Sequence, residues 1–375
     1  MLPKATTHHS PLTTHHSPDM AITATFLEDH GQKPDEVAAL LGDFLLAARS
    51  SLHLAIYDFR LGETLAKPVV EALRQRAAAG VDVRIAYDAG KPAFVFQQAS
   101  ADPAPPGTAS FVKAIGAGVA VKAISGGDPH MPKLMHHKYV IRDGRAPAGA
   151  VWTGSTNFTD DTWTYQENNI IRLESRELCA YYENDFEELW SRGDIGTSGK
   201  HDTGTVCAGP TEIRVSFAPG EGRAIDHEIA HYIATARRRL KVCSMLINSG
   251  AILGALGDAL QHGRVAEYGG IYDRTQMESV FGQWQGTPAE WKIQAFHQVA
   301  AGLAGKRSTP YAPGSRHDFM HNKVLIADDR VITGSYNLSN SAIVNAENVV
   351  MVRDAELAEQ YGTYIDRLVN RYRAA

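Results

Sequence analysis

Short apolar runs alternate along this chain with stretches in which apolar residues recur every three or four positions, and the whole alternation happens twice. In the first round Asp35 to Ala48 has helical spacing, LHLAIYDF reads as a buried strand, Val69 to Ala78 is helical and DVRIAYD is a second strand. KYVIRD, AVWTGS and NNIIRLE follow as short strands, and Glu177 to Trp190 closes the round as an amphipathic helix. The second round runs EIRVSF, a helix through His227 to Arg238, LKVCSMLI, a helix from Ala251 to Leu260, and AEYGGIYD. KVLIADD, RVITGS and ENVVMVRD come next, and Ala355 to Arg373 is the closing helix. A stretch rich in Gly, Ser and Thr, SRGDIGTSGKHDTGTVCAGP, separates the rounds and reads as a linker. The pattern predicts an α/β fold, with two lobes of mixed sheet flanked by helices on the outside. The expected boundaries are a first lobe over 21–195, a linker over 196–210 and a second lobe over 211–375.

The two rounds also repeat polar residues in register. His136, Lys138 and Asp143 in HHKYVIRD recur as His321, Lys323 and Asp328 in MHNKVLIAD, each 185 positions later, as does the pair Tyr87–Asp88 at Tyr272–Asp273. Beyond the Asp the offset falls to 180: Gly154, Ser155 and Asn157 recur as Gly334, Ser335 and Asn337, and Glu167–Asn168 as Glu347–Asn348. The longer GRAPAG turn of the first copy accounts for the change. Register kept over this much chain marks an internal duplication.

Strand geometry says what the spacing is for. Residues two apart share a face, so His136 projects with Lys138 and His321 with Lys323, while His137 and Asn322 point the other way. Gly154 and Gly334 permit close backbone approach, Ser155 and Ser335 suit either phosphate contact or the turn, and Asn157 and Asn337 supply amide donors. Two histidines, two lysines and two asparagines are the parts for splitting a phosphodiester. One neutral histidine attacks phosphorus and the other, protonated, serves the leaving alkoxide. Lys138, Lys323, Asn157 and Asn337 would surround the non-bridging oxygens. A carboxylate against each imidazole N–H fixes its tautomer, and Glu167 and Glu347 are the candidates. No divalent metal is required by this scheme, because the lysines provide the compensating charge, and no His/Asp/Glu set with metal-ligand spacing appears. No cofactor is expected either.

On these residues the chain resembles the phospholipase D superfamily, whose signature HxK(x4)D followed by GSxN occurs twice in its two-lobed members. The resemblance runs from about Ala21 to the C-terminus. It implies two duplicated lobes sharing one active site at a pseudo-twofold interface, with His136 as nucleophile and His321 as acid and base. It also implies cross-pairing, Glu347 orienting His136 and Glu167 orienting His321. Asp143 and Asp328 would support their own motif and the contact between lobes.

Composition narrows the substrate only slightly. The net charge of −5 gives no general attraction to nucleic acid, so a phospholipid is the favoured phosphodiester. A nuclease or nucleotide phosphodiesterase of the same superfamily is the alternative, and a non-catalytic phosphate- or lipid-binding pseudo-enzyme is a third reading. The segments before each motif, Pro92 to Pro132 and Met277 to Met320 with Trp284, Trp291 and Phe296, should shape the pocket. Asp58, Tyr87–Asp88 and Tyr272–Asp273 are further candidates for substrate contact. Cys179, Cys207 and Cys243 have no metal or redox spacing and read as reduced thiols. The first 20 residues, with TTHHSP written twice, lack the apolar core of a secretion signal and read as a disordered extension. No run is long enough to span a membrane, so the expected location is the cytoplasm. The duplication removes the need for a dimer, and a monomer is expected.

Overall fold

The computed structural model describes residues 13–17, 20–90, 107–127, 133–196, 198–312 and 314–373. Two eight-stranded mixed sheets face each other. The first runs, in spatial order, Thr13–Ser17, Met20–Leu27, Asn168–Glu174, Ala150–Gly154, Lys138–Arg142, Ser51–Ile56, Asp82–Asp88 and Val119–Ile124. The second runs Gly204–Ala208, Thr211–Ala218, Glu347–Arg353, Arg330–Gly334, Lys323–Ala327, Arg239–Ser244, Glu267–Asp273 and Ala304–Lys306. The last three strands of each sheet are mutually parallel and the remaining pairs antiparallel. Chain order and strand direction repeat from one sheet to the other, so the duplication read in the sequence is also a duplication of topology.

The layers depart from the expected plan in one respect. Helices Pro34–Leu46, Glu63–Ala78 and Thr108–Ala114 cover the outer face of the first sheet. Gly222–Thr235, Gly250–Gln261, Arg274–Trp284 and Trp291–Ala300 cover that of the second. The closing helices Arg176–Arg192 and Ala355–Arg373 are not outside: they lie between the sheets and share one core with both inner faces. Ala355–Arg373 can do this because its buried residues occupy a broad face: Leu357, Ala358, Tyr361, Tyr364, Ile365, Leu368 and Val369. Its buried hydroxyls find partners across the lobe boundary, Tyr364 donating to Leu27 O at 2.8 Å and Tyr361 to Asn169 Oδ1 at 3.1 Å. The expected disorder of the N-terminal extension does not hold for Thr13–Ser17, which pairs antiparallel with Met20–Leu27. Its twin, Gly204–Ala208, lies inside the expected linker and pairs with Thr211–Ala218. Each satisfies the open backbone edge of the strand it joins. Residues 1–12, 18 and 19 of the extension, and 92–106 and 128–132 of the pocket-shaping segment before the first motif, lie outside the described residues.

Candidate active site

His136 and His321 each sit just before a central strand, on a segment that bridges to the other lobe. Met135 pairs with Ala346, and His136 N donates to Ala346 O at 2.8 Å. Met320 pairs with Glu167, and His321 N donates to Glu167 O at 3.0 Å. The peptide before each histidine is held by a buried aspartate of its own lobe: Met135 N donates to Asp88 at 2.8 Å and Met320 N to Asp273 at 2.9 Å. The two aspartates, candidates for substrate contact in the sequence, thus hold the motif backbone instead. Asp58 accepts from Thr108 Oγ1 at 3.0 Å and Arg60 Nε at 3.1 Å.

Glu347 meets His136 as the resemblance implied, its Oε2 lying 2.8 Å from Nδ1 across the lobe boundary. Ser335 Oγ donates to the same oxygen at 2.6 Å, and Asn345 Nδ2 to the other at 3.2 Å. Burial pushes the Glu347 carboxyl up, while Lys138, the Ser335 and Asn345 donors and Lys323 pull it down. Three donors converge on it with two lysines alongside, which is the environment of a carboxylate. His136 is pushed well down by burial and by Lys138 and Lys323, so its free form is neutral.

Glu167 does not reach His321. The partner of His321 Nδ1 is Asn168 Oδ1, at 3.0 Å. Sheet register explains the difference. Gly154 pairs with Ile170, whereas Gly334 pairs with Val349, so the offset at this strand is 179 and the residue matching Glu347 is Asn168. The surrounding bonds agree: Ser155 Oγ donates to Asn168 Oδ1 at 2.7 Å and accepts from Asn169 N at 3.0 Å, as Ser335 Oγ serves Glu347 and Asn348 N. Glu167 is the residue left over, and its carboxylate turns to Lys306 Nζ at 2.7 Å and to the Tyr372 hydroxyl. The repeated Glu-Asn dipeptide concealed the slip; the sequence clue was the extra residue between Asn157 and the next strand.

Lys138 and Lys323 are buried, and each donates to the carbonyl of its own histidine, at 2.8 and 2.6 Å. Burial brings Lys138 down to about 7, with Glu347, Asp58 and Asp88 acting to raise it, and lowers Lys323 well below its usual range. Asn157 and Asn337 each keep a buried side-chain oxygen without a hydrogen-bond partner, an unmet capacity next to the Gly-Ser turns. Gly154 and Gly334 adopt φ of 136° and 140°, and a Cβ on either would collide with the carbonyl of Asn169 or Asn348. Tyr57, which sequence reasoning passed over, lies with its ring 4.8 Å from that of His136 and under Lys138 Nζ at 5.1 Å.

Asp143 and Asp328 stand at the far ends of the motif strands and do not reach across the lobes. Asp143 accepts from the backbone of Arg49, Ser50 and Ser51, and Asp328 from that of Arg237, Arg238 and Arg239. Both have positive φ, 51° and 53°, a conformation that aspartate tolerates. Each therefore pins the turn that enters the neighbouring strand of its own lobe. Of the pocket aromatics, Trp284 and Phe296 are packed in the second lobe, while Trp291 is exposed. Among the described residues, His53, Glu183 and Glu187 form the one group with metal-ligand spacing. His53 Nδ1 already holds Glu183 at 2.7 Å and Arg84 engages Glu187, an ion network away from the histidine pair. A cavity of about 940 Å3, lined by residues such as Gly149, Arg176, Tyr181 and Cys207, also lies away from the histidines, at the opposite ends of the strands.

The family model described as "Cardiolipin synthase, PLD-like domain" matches residues 41–190 and 229–369, one match in each lobe and more than half of the chain. The chain belongs to the phospholipase D-like family. A phospholipase D of Rickettsia bellii is 30% identical over 153 residues, 40% of this chain and 66% of that protein. A mitochondrial cardiolipin hydrolase of Xenopus tropicalis is 30% identical over 150 residues, 40% of this chain and 59% of that protein. The chain thus spans at most 66% of the length of these two relatives. A phosphatidylserine synthase of Haemophilus influenzae superposes with a TM-score of 0.64 at 12% identity, covering 96% of this chain and 88% of that one, a likeness of fold.

Proposed function

We propose that this phospholipase D-like protein cleaves or exchanges the head group of a phospholipid through a phosphohistidine on His136, without a metal ion. The observation that carries the reading is the histidine pair, each ring held at Nδ1 by a residue of the opposite lobe. Holding Nδ1–H leaves Nε2 as the reactive nitrogen on both rings. Nε2 of His136 forms the bond to phosphorus while the bond to the head-group oxygen breaks, and the protonated Nε2 of His321 delivers its proton to that oxygen. Water or an alcohol then gives its proton to His321 and attacks phosphorus, breaking the P–N bond. Lys138, Lys323 and the amides of Asn157 and Asn337 balance the charge on the non-bridging oxygens.

The names of the relatives favour a lipid substrate, as does the acidic net charge. In this reading the lobes are 21–195 and 211–375, the site is complete in a monomer, and the three unpaired cysteines fit a reducing compartment such as the cytoplasm. No described helix is long and apolar enough to cross a membrane. The test is incubation with mixed phospholipid vesicles, ethanol and excess EDTA. Phosphatidylethanol formed by the wild type and not by His136→Asn supports the reading. None formed by either moves the substrate to nucleic acids or nucleotides, with single-stranded DNA tried first.

A further inference from the structure

The two histidines are alike in burial, in lysine neighbours and in serine support, yet they differ in the group at Nδ1. His136 faces the Glu347 carboxylate, and His321 faces the Asn168 carboxamide. We propose that Asn168 is the positioning residue of His321, and that its lack of charge makes His321 the proton donor and His136 the nucleophile. The proposal rests on the phosphohistidine reading and extends it to what separates the two roles.

The chemistry follows from what each ring must become. A histidine bonded to phosphorus through Nε2 while keeping Nδ1–H carries a positive charge, and a carboxylate at Nδ1 stabilises that charge. The donor ring has the opposite need: it must hold its second proton weakly enough to surrender it. A carboxamide oxygen fixes the same tautomer without adding a counter-charge. Asn168 is suited to this and is itself locked. Its Oδ1 accepts from Ser155 Oγ at 2.7 Å, its Nδ2 donates to Gln166 Oε1 at 3.3 Å, and it is fully buried.

The charges facing His321 agree with the assignment. Lys323 from its own segment, then Lys138 and His136 from the first lobe, all disfavour its protonated form in addition to burial, and a backbone hydrogen bond with Ser155 opposes them. The nearest acid in sequence to Asn168, Glu167, is turned away onto Lys306 and Tyr372, and Glu347 is taken by His136. A proton on His321 is therefore held against the field of the site until an anionic substrate arrives, and is readily given to the leaving oxygen.

Asn168→Asp is nearly isosteric, keeps the acceptor for Ser155 and supplies the missing charge. It should raise the pH at which His321 loses its proton by about one unit or more, the usual effect of a carboxylate in contact. Two substrates separate donation from everything else: a phosphatidyl diester with an alkyl head group, whose departure needs a proton, and a p-nitrophenyl phosphodiester, whose departure does not. With the alkyl diester, the alkaline limb of kcat/KM for Asn168→Asp should move up by that amount. The second step needs neutral His321, so turnover mixtures near pH 7, quenched with denaturant at alkaline pH where the P–N bond survives, should hold more phosphohistidine than wild type. With the p-nitrophenyl diester the alkaline limb should stay in place. Asn168→Leu, which removes the acceptor, should lose roughly 10–100-fold with the alkyl diester and less with the other. Limbs that superimpose for Asn168→Asp and wild type with the alkyl diester, in folded and active protein, overturn the proposal. So do equal losses on both substrates in Asn168→Leu. Failure of the underlying reading looks different: wild type itself would then yield no phosphohistidine.

Discussion

Replacing Glu347 by glutamine removes one charge and almost no volume. In the wild type the carboxylate is fully buried and 2.8 Å from His136 Nδ1. In the proposed mechanism His136 becomes cationic on bonding to phosphorus, and two unit charges about 4 Å apart attract by about 4 kcal/mol at the effective dielectric of a protein site. Glutamine keeps a neutral hydrogen bond there, with a net contribution of about 1 kcal/mol. The difference, about 3 kcal/mol, corresponds to a loss of about two powers of ten in kcat/KM. It should fall on kcat, because the charge exists in the transition state and intermediate and not in bound substrate. The assay is phosphatidyl transfer to ethanol under saturating and limiting lipid, with thermal unfolding run alongside to show that the variant is folded. A folded Glu347→Gln with wild-type kcat/KM would refute the electrostatic account, and so would a loss confined to KM.

Other consequences can be checked with single substitutions. Glu167→Ala leaves Lys306 buried without its carboxylate, so it should lower Tm by removing about 3 kcal/mol or more of stability, while kcat in the folded enzyme stays near wild type. Asp143 and Asp328 have carboxyls held below the usual range by the backbone N–H and hydroxyl donors they accept, although burial acts the other way. A lowered folded value means that their stabilisation is present above about pH 4 and fades as pH falls through the folded value. Denaturant midpoints of Asp143→Asn and Asp328→Asn should thus lie below wild type at pH 7 and converge on it toward pH 2. Gly154→Ala places a methyl group against Asn169 O at a φ of 136° and should displace Asn168, reducing activity more than stability in chemical denaturation.

The doubled motif was legible because chemistry and strand period coincide: His136 with Lys138, and His321 with Lys323, project together in both descriptions. The sheets followed from the same apolar runs, since interior strands such as Lys138–Arg142 and Lys323–Ala327 are buried on both faces. Glu167 was misassigned because the local match Glu-Asn to Glu-Asn competes with a register set by backbone pairing, and a slip of one residue exchanges the two faces of a strand. Asp143 and Asp328 accept from backbone N–H groups of their own lobes, so their expected role between lobes is not seen. A turn that gathers backbone N–H groups around a carboxylate has no side-chain pattern to betray it. The central position of Arg176–Arg192 and Ala355–Arg373 was hidden for a similar reason: amphipathic spacing reports an apolar face and says nothing of which layer will cover it.

Because each imidazole is held from the opposite half, the proposed reaction needs both halves together. A ribosome-bound chain that has just released its first lobe already carries His136 and Lys138, yet the carboxylate for that ring lies in a strand of the second lobe, 211 residues further along. In the proposed mechanism such a nascent chain would hold an untethered nucleophile and no proton donor. In the proposed reading chemical competence would wait for the second lobe to close on the first, and would double as a report that the halves have closed correctly. Separately expressed halves, cut between Lys200 and His201, should accordingly be silent alone and recover phosphatidyl transfer only as they reassociate.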